Sequence, residues 1–226
     1  MSVSLTIKIC GLSTPATLEA ALDAGADMVG FVFFPPSPRH IDIAQARELA
    51  DITGARALKV ALSVDADDAY LDDVVAALAP DILQLHGRET PARTAAIRAR
   101  YGLPVMKALG VSAEADFAAL SAYETVADRI LFDAKPPRDA TRPGGNGHAF
   151  DWSLLGSRAF SKPWMLSGGL TCESVATAIA ATHPPGIDVS SGVESSPGVK
   201  DPALIEAFMA RARAAQAALG LARKSA

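Results

Sequence analysis

Eight short runs rich in apolar and β-branched residues alternate with Ala/Leu-rich segments of helical spacing along the 226-residue chain, and this alternation restricts the fold most. The strand segments fall at 5–10, 28–33, 57–64, 82–86, 104–109, 129–133, 164–167 and 187–190. A strand followed each time by a helix builds a parallel sheet, because a parallel neighbour is reached only by a long crossover. Eight such units fit a closed (β/α)8 TIM barrel better than an open sheet. No Gly-x-Gly-x-x-Gly follows the first strand, which counts against a dinucleotide-binding domain. An open doubly wound sheet is the structural alternative.

Several helices carry their own start signals. Thr14-Pro15, Thr90-Pro91 and Asp201-Pro202 each put a capping side chain before a proline suited to the first helical turn. Asp42 and Ser112 are candidate caps for two more, and Gly25, Gly54 and Gly102 stand where the chain leaves a helix. No linker, charge block or low-complexity stretch divides the chain, so residues 1–226 are expected to form a single barrel domain, with 219–226 a frayed tail.

Composition narrows the function classes. The formal charge is −4 and no Lys/Arg cluster appears, so a nucleic-acid partner is not expected. No apolar stretch approaches the roughly 18 residues of a membrane span, and the first residues lack a secretory pattern. Two cysteines, Cys10 and Cys172, make no disulfide framework. These features predict a soluble, cytoplasmic protein without a membrane partner.

Side chains alternate between the two faces of a strand. Leu5, Ile7 and Ile9 share one face of the first strand, while Lys8 and Cys10 share the other. Gln84 and His86 oppose Leu83 and Leu85, Asp188 and Ser190 oppose Ile187 and Val189, and Asp133 closes an apolar run. Lys107, between Met106 and Ala108, makes a fifth strand with a polar residue. In a barrel these polar ends would converge on one mouth, where such folds place their sites.

Cys10 precedes a glycine turn and shares a face with Lys8, a cation that would favour the thiolate and so a proton-abstracting role. A small buried hydrophobe is the competing role for Cys10, and the one assigned to Cys172. Asp133 is either a turn cap or a carboxyl kept protonated by burial, usable as a general acid. Glycine-rich turns at Ser167-Gly168-Gly169 and Ser190-Ser191-Gly192 follow strands seven and eight, where barrels often bind phosphate. Arg39 lies in a proline-stiffened loop and has the planar fork that suits a carboxylate, with a solvated surface arginine as the alternative. The segment 135–150, centred on Gly144-Gly145-Asn146-Gly147, is expected to be a lid. No His/Cys/Asp/Glu spacing reads as a metal site.

The ordered set Lys8-Ile9-Cys10-Gly11, Gly30-Phe31-Val32-Phe33, Ser37-Pro38-Arg39, Gln84-Leu85-His86-Gly87, Phe132-Asp133, Phe150-Asp151-Trp152, Ser167-Gly168-Gly169-Leu170 and Asp188-Val189-Ser190-Ser191-Gly192-Val193-Glu194 resembles phosphoribosylanthranilate isomerase from the first strand to the last. The resemblance implies a ribulose-phosphate-binding barrel that isomerises N-(5-phosphoribosyl)anthranilate to 1-(2-carboxyphenylamino)-1-deoxyribulose 5-phosphate in tryptophan biosynthesis. It implies no metal and no organic cofactor. Asp133 matches the general acid that opens the ribose ring, and Cys10 the base that takes the C2′ proton. Arg39 matches the arginine that holds the anthranilate carboxylate. Gly168, Gly169, Ser190, Ser191 and Gly192 match the phosphate site. Ala134 stands where threonine is expected, and strand three ends in Ala61-Leu62-Ser63-Val64, departures that touch no proposed catalytic residue.

Indole-3-glycerol-phosphate synthase, a sibling barrel with similar late turns, is one alternative. A non-catalytic phosphosugar sensor is another, although binding alone does not require an acid and a base together. The outer helix faces carry no apolar stripe, which favours a monomer over a homodimer.

Overall fold

Eight parallel strands close on themselves in the computed structural model, which describes residues 5–135, 144, 150–156 and 158–222. They are β1 Thr6–Cys10, β2 Met28–Phe33, β3 Leu58–Ser63, β4 Ile82–Leu85, β5 Val105–Val111, β6 Arg129–Ala134, β7 Trp164–Leu166 and β8 Gly186–Val189. Each pairs with the next, and β8 returns to β1 with Lys8 opposite Asp188. The open-sheet alternative is thereby set aside. Between strands run α1 Pro15–Asp23, α2 Ile43–Thr53, α3 Asp68–Leu78, α4 Pro91–Tyr101, α5 Leu120–Glu124, α6 Ser153–Gly156 and α7 Val175–Thr182. After β8 the chain makes a small antiparallel hairpin, β9 Glu194–Ser196 with β10 Val199–Lys200, and then α8 Pro202–Ala222.

The caps act as their chemistry dictates, with one exception. Thr14, Thr90 and Asp42 accept N–H groups of Thr17, Arg93 and Gln45, and Asp201 accepts from Ala203. Ser112 is not a cap. Its N–H and hydroxyl both donate to Asp116 Oδ2, which also takes the Ala113 N–H. A carboxylate reaching back takes three donors, more than the two lone pairs of a hydroxyl oxygen could, and the segment it closes is a 3₁₀ turn, Glu114–Ala119. The helical pattern at the C-terminus also runs further than a tail from residue 219 would allow, since α8 reaches Ala222 and Leu219 packs on the core. Residues 136–143 and 145–149, including Arg138, Arg142 and nearly all of the expected lid, lie outside the described residues.

Parallel register is pinned at the bottom of the barrel by three aspartates. Asp27, Asp81 and Asp128 stand just before β2, β4 and β6, and accept the N–H of Ile7, Lys59 and Val105 on the preceding strand, at 2.7, 2.7 and 3.0 Å. Arg213 of α8 joins this belt by donating to Asp27 Oδ2 and the Leu5 carbonyl. A one-residue slip would break all these bonds and turn every strand inside out.

Two apolar layers follow. Ile7, Ile9, Val29, Phe31, Leu83, Leu85, Phe132, Ile187 and Val189 face outward and are buried with Leu18, Leu49, Val74, Ile97, Ile179 and Phe208 of the helices. Inside, Met28, Val60, Ile82, Met106, Ala108, Leu131 and Met165 plug the lower barrel. Cys10, Val32 and Leu62 form a smaller group above them. Lys107 departs from the expected phase: because Met106 and Ala108 fill the interior, its side chain points outward. There its Nζ donates to the carbonyls of Leu85 and Gly87 and to Glu89 Oε2, at 3.1, 2.8 and 2.8 Å.

Candidate active site

Four inward-facing polar residues occupy the upper barrel because the strands that carry them are in phase. Lys8 on β1 and Asp188 on β8 are direct register partners, and Lys8 Nζ donates to Asp188 Oδ1 at 2.8 Å with Lys8 fully buried. Ser167, just past β7, donates from Oγ to Asp188 Oδ2 at 3.4 Å. Gln84 of β4 is fully buried, and its Nε2 approaches His86 Nδ1 at 3.0 Å.

Above this layer opens a cleft of about 780 Å³ counting its open mouth, lined by Cys10, Arg39, His86, Asp133, Gly168 and Ser190 among others. Among the described residues no three His, Cys, Asp or Glu are arranged to hold a metal ion. No described helix is long and apolar enough to cross a membrane.

Burial and the Lys8–Asp188 pair together set the Cys10 thiol. Burial raises the thiol, Lys8 lowers it, and Asp188 raises it again; the balance is a pKa above the ordinary thiol value. Lys8 favours the thiolate, as expected, but burial outweighs it and Asp188 adds to the rise. Burial pulls the Lys8 ammonium down, yet Asp188 and Cys10 more than offset it and hold Lys8 above its usual range. Replacing Lys8 by methionine should therefore leave Asp188 buried without its counter-charge and cost about 3–5 kcal/mol. A urea titration measures this; an unchanged midpoint would mean that Asp188 finds another partner.

Asp133, buried at the end of β6, is fixed at both oxygens. Oδ1 accepts the Ala134 N–H at 2.8 Å and Oδ2 meets His86 Nε2 at 3.2 Å. The tautomer decides which group holds the shared proton: with Gln84 Nε2 donating to Nδ1 the imidazole donates to Asp133, and with the amide turned so that its oxygen accepts from Nδ1–H, Asp133 holds the proton and donates to Nε2. His86 is a site residue that strand phase placed correctly but no role was assigned. Gly144 lies against both groups: a Cβ there would stand 2.6 Å from His86 Nε2 and 2.7 Å from Asp133 Oδ2.

The two glycine turns meet at the same rim. Gly168 has φ +84° and Gly169 φ +68°, and a Cβ on Gly168 would lie 2.6 Å from the Ala134 nitrogen, so only glycine lets β7 turn this close to β6. Gly168, Gly169, Ser190 and Ser191 line the cleft. Gly192 stands behind it, in a 3₁₀ turn pressed so closely on the Leu170 carbonyl that a side chain would overlap it. The β8 turn thus runs into the β9–β10 hairpin rather than directly into a helix.

Arg39 is not a solvated arginine. It is buried, and its Nε and Nη2 donate to the two oxygens of Glu194 at 2.7 and 2.8 Å. Its backbone N–H is held by Ser37 Oγ, and its methylenes cover Gly11 so closely that a Cβ at that glycine would stand 2.6 Å from Arg39 Cδ. Burial pushes the Glu194 carboxyl up, but Arg39 and Lys200 outweigh this and hold it below the ordinary range. Cys172, by contrast, packs in the outer layer with its Sγ toward the Leu204 carbonyl.

Comparison with known proteins converges on one family. The profile described as N-(5'phosphoribosyl)anthranilate (PRA) isomerase matches residues 7–211. The N-(5'-phosphoribosyl)anthranilate isomerase of Rhodopseudomonas palustris (strain BisB18) is 63% identical over 212 residues, covering 94% of this chain and 97% of its own. The phosphoribosyl anthranilate isomerase of Thermotoga maritima superposes with a TM-score of 0.84 at 36% identity, covering 93% of this chain and all of its own. A structure of phosphoribosyl anthranilate isomerase in complex with reduced 1-(o-carboxyphenylamino)-1-deoxyribulose 5-phosphate gives a TM-score of 0.80 at 33% identity, with the same coverage.

Proposed function

Because this chain belongs to the N-(5'-phosphoribosyl)anthranilate isomerase family, enzymes of tryptophan biosynthesis, we propose that it converts N-(5-phosphoribosyl)anthranilate to 1-(2-carboxyphenylamino)-1-deoxyribulose 5-phosphate by an Amadori rearrangement, with Asp133 as general acid and Cys10 as general base. The observation that carries this assignment is that the thiol and the carboxyl come from strands three places apart around the barrel, β1 and β6, and line one cleft.

The substrate presents two anions with an aminosugar between them. Its carboxylate pairs with Arg39, whose charge is held in place by Glu194. Its phosphate lies on the turns at Gly168, Gly169, Ser190 and Ser191, with Gly192 supporting them from behind. Binding energy at both ends places the ribose between Cys10 and Asp133.

Asp133 gives its proton to the ribose ring oxygen. The C1′–O4′ bond breaks as the nitrogen lone pair forms C1′=N, leaving an iminium. The positive charge now in the cleft favours the Cys10 thiolate against the burial that opposes it. The thiolate takes the C2′ proton, the C–H electrons form C1′=C2′, and the iminium π pair returns to nitrogen. The resulting enolamine gives up its O2′ proton and gains one at C1′, which yields the ketone. Asp133 holds its proton against His86 Nε2 in the tautomer with the Gln84 amide turned, while Cys10 ionises only once the iminium charge is present, so acid and base act in opposite protonation states.

The test is turnover of N-(5-phosphoribosyl)anthranilate, generated in place from anthranilate and phosphoribosyl pyrophosphate and followed by loss of its fluorescence. Turnover by the purified protein is the expected result. No turnover, with the phosphosugar still bound, would instead favour the sensor.

A further inference from the structure

Building on the assignment of Arg39 to the substrate carboxylate, we propose that Glu194 is a positioning residue for that recognition: it sets the orientation of the Arg39 guanidinium and makes the β9–β10 hairpin part of the substrate's carboxylate pocket. Four donors converge on this one carboxylate. They are Arg39 Nε and Nη2, the Gly198 N–H at 3.1 Å, and Lys200 Nζ. Arg39, Glu194 and Lys200 have side chains only 4%, 3% and 1% exposed, so the interaction is poorly screened. Among the described residues, two cations share this one anion.

Geometry gives Glu194 control over direction as well as charge. Both Arg39 bonds use the planar fork, so the guanidinium plane is fixed by the carboxylate plane. The carboxylate is fixed in turn by its hairpin. Gly198, with φ +85°, lies so close to the loop carrying Arg39 that a Cβ there would stand 2.6 Å from the Pro38 carbonyl oxygen. Lys200 reaches past Glu194 to the carbonyl and hydroxyl of Ser190, at 3.1 and 3.4 Å. One hairpin therefore braces both the arginine and the first residue of the β8 turn. Chain spacing hides this, since Arg39 and Glu194 are 155 residues apart.

A double-mutant cycle tests the proposal in the intact enzyme. Glu194→Gln keeps the shape and removes the charge; it should raise KM about 10-fold or more and leave kcat within about 3-fold. Inhibition by inorganic phosphate, which probes only the far end of the cleft, should change by less than about 2-fold. A general collapse of the site would weaken phosphate as much as substrate. In an Arg39→Ala background the Glu194→Gln change should have almost no further effect on KM, because its target is gone. Multiplicative effects of the two substitutions, or a kcat loss with KM unchanged, would overturn the proposal. So would an Arg39→Ala variant with normal KM. Should Glu194→Gln not fold, Glu194→Asp replaces it in the cycle, with an intermediate KM expected because the charge is kept but recessed. Failure of the isomerase assignment itself would be seen separately, as absence of turnover in the unmodified protein.

Discussion

Asp133→Asn should lower kcat by about three to four orders of magnitude, near the upper limit for a single proton-transfer group, while changing substrate affinity by no more than about 3-fold. The amide is nearly isosteric with the carboxyl and its oxygen still accepts the Ala134 N–H, so the turn between β6 and β7 keeps its geometry. What it loses is an ionisable proton. Ring opening then has no acid within reach of O4′, because His86 Nε2, the nearest alternative, is directed at position 133. The variant also turns an NH₂ toward His86 Nε2–H, a donor against a donor. The imidazole relieves this by moving its proton to Nδ1, provided the Gln84 amide turns its carbonyl toward the ring. The Gln84 oxygen, buried without a protein partner among the described residues, is available for that exchange. The measurement is steady-state kcat and KM beside direct binding of a reduced product analogue. A variant that keeps more than about a tenth of the turnover would remove Asp133 from the acid role and transfer attention to His86.

The barrel was legible because its repeats are regular: eight strands in the expected segments, and an inner face whose residues recur every second position. The same rule failed at Lys107, for a physical reason. Strand β5 is flanked on both sides by apolar material, so a polar residue does not by itself mark the interior. Lys107 points outward because Glu89, on the loop after β4, meets it there. Cys10, Asp133 and Arg39 could be proposed from strand ends and a rigid loop, but the groups that tune them could not. His86 and Asp133 are 47 positions apart, Lys8 and Asp188 are 180, and Arg39 and Glu194 are 155. Such partners meet only once the register is closed. The raised Cys10 thiol has the same origin: Lys8, two residues away, favours the thiolate, but the burial that outweighs it and the added effect of Asp188 come only from the closed barrel.

The raised thiol makes the Cys10 prediction a statement about pH. Cys10→Ser should cut kcat by about two to four orders of magnitude with little change in binding, since a hydroxyl fills the same space but is a far weaker acid than a thiol and so supplies almost no anionic base at neutral pH. In the unmodified enzyme the base acts deprotonated, and burial with Asp188 outweighs Lys8 to hold the free thiol above its ordinary value of 9.0. A raised pKa means a smaller thiolate fraction at any given pH below it. kcat/KM, which reports the free enzyme, should therefore still be climbing where an unperturbed thiol would have levelled off, and the serine variant should lose that basic limb. Asp188→Asn extends the test in the opposite sense. It removes an anion that opposes the thiolate and releases the Lys8 charge toward sulfur, so the limb should move to lower pH. A limb that stays in place in Asp188→Asn would mean that desolvation alone sets the Cys10 thiol. One that survives in Cys10→Ser would assign the titration, and the base, to another residue.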